Sequence, residues 1–154
     1  MNVFRIVPES FSHELKASGA PNRWNLRDQK VIYAGSSRSL STLEMIVHRS
    51  AIQSSKPYKL LMISIDFKGN EIEKIALDHL PSNWRGMQSY GKLQMIGSNW
   101  YKSQKSLILE VPSAIIPQES NFVINTQHPD FLKKIAISRV EDYFWDNRLL
   151  TVVH

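Results

Sequence analysis

The stretch YKLLMISIDF, residues 58–67, constrains the fold most. It is rich in branched apolar residues and reads as a buried strand. A buried strand needs neighbours, and the chain supplies them. VFRIV (3–7) alternates in the strand manner and stops at Pro8. KVIYAG (30–35), SLILEVP (106–112), NFVIN (121–125) and AISRVEDY (136–143) are further strands, and NEIEKI (70–75) is a weaker one. Helices are expected over SLSTLEMIVHRSAI (39–52), SYGKLQMIGSNWYKS (89–103) and HPDFLKKI (128–135). In the second of these, Leu93, Ile96, Gly97 and Trp100 follow the i, i+3, i+4, i+7 spacing of an amphipathic helix. The segment 10–19 reads as a short helix or turn, and LPSNWRG (80–86) as a loop. Successive strands lack regular helical crossovers, which argues against a doubly wound parallel sheet. The expected fold class is α+β, with a mixed, mainly antiparallel sheet and flanking helices.

With 154 residues and no linker or repeat, residues 1–154 are expected to form one domain. The net charge of +5 points to an anionic partner. The cations are spread along the chain with no run of five, which favours a local anion pocket over a nucleic-acid stripe. There is no cysteine, hence no disulfide or thiolate chemistry. No apolar run approaches the roughly 20 residues of a membrane helix. The N-terminal MNVFRIVPES does not read as a signal peptide, so a cytoplasmic protein is expected.

Several chemistries are disfavoured by motif. The histidines His13, His48, His79, His128 and His154 form no His-x-x-x-His pair, so no metal site is expected. Neither Gly-x-Ser-x-Gly nor a glycine-rich phosphate loop occurs. What remains is a set of residues with ordinary explanations. Leu40, Leu43, Ile46, Val47 and Ala51 form a stripe on a helical wheel, with Glu44 at its edge. Glu44 is either the capping-box partner of Ser41 or a carboxylate buried enough to act on a ligand. Arg23 is a surface arginine, or one stacked on Trp24, or a fork of donors for a pyrophosphate. Tyr33 at a strand end packs, or lays its ring against a cation. Ser113 is a loop serine after Pro112. Asn125 is placed to cap the helix beginning near Pro129.

Together these residues resemble the RES-domain family, toxins of bacterial Xre–RES toxin–antitoxin pairs named for arginine, glutamate and serine. The likeness runs in order over nearly the whole chain. It takes in FRIVP, RWN, VIYAGSSRSLSTLEMIVH, LPSNW, IGSNWYKSQKSLILEVPSAIIPQESNFVINTQHPDF and DNRLL. Pro21-Asn22 stand where the family has glycines, and Thr126 where it has proline. By position, the resemblance implies catalytic roles for Arg23, Tyr33, Glu44 and Ser113. It implies NAD⁺ binding by Arg23, Tyr33 and Asn125. It further implies a fold resembling the ADP-ribosyltransferase toxins and cleavage of the nicotinamide–ribose bond of NAD⁺ by hydrolysis or phosphorolysis, halting growth. NAD⁺ is then substrate, with no permanently bound cofactor. The implied partner is an Xre-like helix-turn-helix antitoxin that blocks the site, with no direct DNA binding and no membrane. Two alternatives stand beside this: a mono-ADP-ribosyltransferase modifying a protein target, and a nucleic-acid-directed toxin.

Overall fold

The apolar segment expected as a buried strand at 58–67 lies inside a sheet over Tyr58–Ile65, while Asp66 and Phe67 lie past the strand's end and are exposed. A computed structural model describes residues 1–151, so His154 lies outside the described residues. The described residues hold seven strands: β1 (Asn2–Pro8), β2 (Val31–Gly35), β3 (Tyr58–Ile65), β4 (Ile72–Lys74), β5 (Ile108–Pro112), β6 (Ser120–Asn125) and β7 (Ile135–Tyr143). The helices are α1 (Arg38–Ile46), α2 (Tyr90–Ser103), α3 (Phe131–Lys134) and α4 (Asn147–Leu150). The strand order is β4-β5-β6-β2-β1-β3-β7. Neighbours run antiparallel except β4 with β5, which are parallel. The α+β class and the mainly antiparallel sheet are therefore as expected.

Side chains alternate across the sheet, and the buried apolar ones gather in three clusters, one of them Ile6, Tyr58, Leu60 and Trp145. Val3, Ile32, Ile63, Ile108 and Ile124 pack on one face. Val31, Leu109, Val111 and Val123 pack on the other, against Trp24 and against Leu93 and Trp100 of α2. The sheet loosens at one seam. β1 pairs with β3 along its whole length, but with β2 only at Phe4–Gly35. α1 closes over that seam. Ser41 Oγ lies 2.9 Å from the Phe4 carbonyl and 2.9 Å from that of Ser37, a donor for either. A Cβ on Gly35 would stand 2.6 Å from Ser41 Oγ, so glycine is what lets α1 seat this closely.

Four local expectations need correction. The first helix ends at Ile46 and does not run on to Ile52; a separate short turn follows at Arg49–Ala51. Its wheel stripe is only partly its buried face: Leu40 is buried and Ile46 packs against Ile6, Tyr58 and Leu60, while Leu43 and Val47 are exposed and Ser41, off the stripe, is buried. Its N-cap is Ser37, whose hydroxyl accepts from Leu40 N at 3.0 Å, so Ser41 and Glu44 form no capping box. The third helix is a single turn, because the chain enters the sheet again at Ile135.

Candidate active site

The opened seam between β1 and β2 is the floor of a cavity of about 830 Å³. Its walls come from the segment 16–24, from α1, from residues 85–90 and from Pro112, Ala114, Ile115 and Asn121. Its size is that of a small-molecule site. Among the described residues that line it, four are permanent cations (Arg5, Lys16, Arg23 and Arg85) and one is a carboxylate, Glu44. None of these five makes an ion pair among the described residues.

Glu44 is half-buried on α1, and the two neighbours that orient it stand after β5 and on β6. Ser113 Oγ donates to its Oε1 at 2.8 Å, and Asn121 Nδ2 donates to the same oxygen at 2.6 Å. No hydrogen bond among the described residues reaches Oε2. One oxygen is thus held and the other left for whatever occupies the cavity. Ser113 is fully buried and does not line the cavity. Its hydroxyl also accepts from the amides of Ile115 and Ile116, at 3.1 Å each. That fixes the hydroxyl proton toward Glu44.

Arg23 projects from the loop before β2. Its Nη1 donates to the carbonyls of Trp84 and Arg85, each at 3.2 Å, and its guanidinium lies over the Tyr90 ring at 5.0 Å. It stacks on Tyr90, not on Trp24. Nε and Nη2 keep their donors for a ligand. Tyr33 lines the cavity while its hydroxyl points into the protein, accepting from Trp24 N at 3.1 Å and donating to Asn25 Oδ1 at 2.6 Å. Burial, above all, pushes its phenol well above its ordinary value, so Tyr33 is neutral and serves as no base.

The cation that sequence reasoning missed is Arg5. It spans the seam and donates from Nη1 to the Tyr33 carbonyl at 2.8 Å. Burial pulls its pKa below the ordinary value, yet a guanidinium remains protonated. A guanidinium withdrawn from water is costly unless an anion joins it. Asn121 was also missed. Asn125, to which the family resemblance gives NAD⁺ binding, is fully buried and absent from the cavity lining. It sits at the opposite end of β6, paired with Val31, while Asn121 pairs with Gly35 beside α1. The Asn125 side chain accepts from Gln127 N at 2.9 Å and closes the turn after β6. It caps no helix, and α3 begins only at Phe131.

Among the described residues, no group of three His, Cys, Asp or Glu side chains is placed to hold a metal ion.

The RES domain family model matches residues 2–146. A Toxin Res of Photorhabdus laumondii is 35% identical over 128 residues, which cover 83% of this chain and 81% of that protein. The Prs ADP-ribosylating toxin of a Sphingobium species is 31% identical over 157 residues, covering 96% of this chain and 95% of its own. The crystal structure of the M. tuberculosis MbcT–MbcA toxin–antitoxin complex holds a chain with a TM-score of 0.73. That match covers 93% of this chain and 84% of that one, and at 16% identity it is a likeness of fold.

Proposed function

The chain belongs to the RES domain family, and on that basis we propose that it is a toxin that cleaves the nicotinamide–ribose bond of NAD⁺. The observation that carries this reading is the cavity's charge pattern: four cations and a single oriented carboxylate, none in an ion pair among the described residues. A dinucleotide with an anionic pyrophosphate and a cationic leaving group suits both halves of that pattern.

The chemistry needs no more than one carboxylate. Nicotinamide is a cation while bonded to ribose, and it departs as a neutral base with the electron pair of the C–N bond. No acid need protonate it, unlike the leaving group of an ordinary glycoside. As the bond stretches, positive charge grows on the ribose ring. Glu44 supplies a fixed negative charge beside it, and Ser113 and Asn121 hold that charge in place before reaction. Arg23 and Arg5 clamp the pyrophosphate and so fix the reacting ribose. The neutral Tyr33 ring packs on nicotinamide. An acceptor oxygen then bonds to the ribose carbon and releases its proton. In this reading Ser113 acts through Glu44 and does not touch the ligand, while Asn125 only shapes the turn. NAD⁺ is the substrate, no cofactor is resident, and a toxin-binding antitoxin of the Xre type covers the cavity in the cytoplasm.

A second reading has one observation in its favour, the likeness to an ADP-ribosylating toxin along almost the full chain. It shares the bond cleavage and differs only in the acceptor, a protein side chain. One experiment separates the readings. The purified protein is mixed with NAD⁺, with and without inorganic phosphate, and free nicotinamide and the sugar-nucleotide products are resolved. Release of nicotinamide with ADP-ribose or its phosphorylated form is expected. Nicotinamide release only when cell protein is added, with label retained on that protein, establishes the transferase instead. No release under any of these conditions refutes both.

A further inference from the structure

We propose that Gly97 of α2 is a positioning residue for Arg23, acting by seating the loop that carries it; this rests on the binding role given to Arg23 above. The loop 22–30 has little regular structure, with one isolated β-bridge joining Asn22 to Asn25. Its placement comes from α2. Tyr90, Gln94, Gly97, Ser98 and Tyr101 follow steps of four, three, one and three and therefore share one face of that helix. Tyr90 Oη lies 3.1 Å from Asn22 Oδ1, and Gln94 Nε2 donates to the Asn22 carbonyl at 3.0 Å. Ser98 Oγ accepts from Gln29 Nε2 at 2.8 Å, and Tyr101 Oη accepts from Lys30 N at 3.2 Å. Contacts along this face thus reach the loop at both of its ends.

Gly97 stands midway along that face, and what it provides is space. A Cβ built there would lie 1.7 Å from the Trp24 carbonyl oxygen and 2.6 Å from the carbonyl carbon. These are backbone atoms one residue from Arg23, so the loop itself would have to move. Trp24 is also held from the other side, where its amide donates to Tyr33 Oη, and its side chain is buried. The loop is therefore clamped between α2 and β2, with Arg23 projecting from the clamp. The glycine is not there for helix formation, since glycine within a helix is less favourable than alanine. Gly91 on the same helix serves as the internal control: a Cβ there meets nothing within 4 Å.

Amide hydrogen exchange on wild type, Gly91→Ala and Gly97→Ala, paired with NAD⁺ kinetics, tests this. In Gly97→Ala the amides of residues 22–30 are expected to exchange at least about tenfold faster, while those of β3 keep their protection. The KM for NAD⁺ is expected to rise roughly tenfold with kcat within about threefold. Gly91→Ala should match wild type in both. Gln94→Met, which removes one donor to the loop and keeps the helix, should loosen the same amides to a smaller degree. An unchanged loop in Gly97→Ala, or a loosened loop with an unchanged KM, overturns the proposal. Should Gly97→Ala fail to fold, Gln94→Met decides the matter by the same two readouts. Should wild type cleave no NAD⁺, the functional reading fails, and the exchange data still decide whether Gly97 seats the loop.

Discussion

Glu44 has its two hydrogen bonds on one oxygen, from partners 69 and 77 residues away. That asymmetry gives the neighbours separable roles. Removing the Ser113 hydroxyl leaves Oε1 with one donor, and a hydrogen bond to a charged group contributes about 1.5–3 kcal/mol. Ser113→Ala should therefore lower kcat by about tenfold or more while leaving the KM for NAD⁺ nearly unchanged, as steady-state kinetics would show. A raised KM with normal kcat would mean that Ser113 contacts the ligand after all. The sequence marked Glu44 as unusual because a carboxylate sat among apolar helix positions. Its partners were legible only in part. The family likeness supplied Ser113, but Asn121 becomes visible only once β6 is laid against β2. Arg5 looked like the polar member of an alternating strand; that β1 and β2 separate beside it is a property of the sheet. Asn125 misled because a polar residue at a strand end closes a turn as readily as it binds a ligand.

At the level of elements, strands were easier to read than helices. Alternation ending at Pro8 bounds β1, a run of branched apolar residues marks β3, Pro112 ends β5, and NFVIN falls within one residue of β6. α1 was overextended because its apolar wheel stripe continued past Ile46, where the helix itself stops. β4 is short and held largely from outside. Glu71, just before it, is buried and ion-paired with Lys134 of α3, and its Oε2 accepts from the amides of Lys68 and Gly69 at 2.8 and 3.0 Å. The Lys134 ammonium, first among these, holds the Glu71 carboxyl at about 2 against an ordinary 4.5. A carboxyl depressed on folding stabilises the native state above its unfolded pKa, and that stability is lost as pH falls toward the folded one. Thermal melting of wild type should thus lose an increment between pH 4.5 and about 2. Glu71→Gln should lack that increment and melt lower at neutral pH. Parallel pH profiles for the two proteins would contradict the pairing.

For the whole molecule, the missing crossovers sufficed for an antiparallel α+β fold but not for the strand order, which depends on contacts far apart in sequence. Nor did the sequence reveal where the net charge of +5 is used. Four of the cations line one cavity, an arrangement suited to a compact anion rather than a long polyanion. Raising salt from 50 to 200 mM should accordingly change the KM for NAD⁺ only by about a few fold. A nucleic-acid ligand contacted at 6–10 phosphates would lose about 10³–10⁵ in affinity over that range, and a comparably steep dependence for NAD⁺ would speak against a closed cavity site. In the proposed reaction one fixed carboxylate, Glu44, stabilises the charge that develops as nicotinamide leaves. The most direct measurement is the rate of nicotinamide release from saturating NAD⁺ by wild type and by Glu44→Gln, with both shown to be folded and to bind NAD⁺. A fall of about a hundredfold or more is expected in the variant, with binding retained. Turnover by Glu44→Gln at the wild-type rate would contradict it.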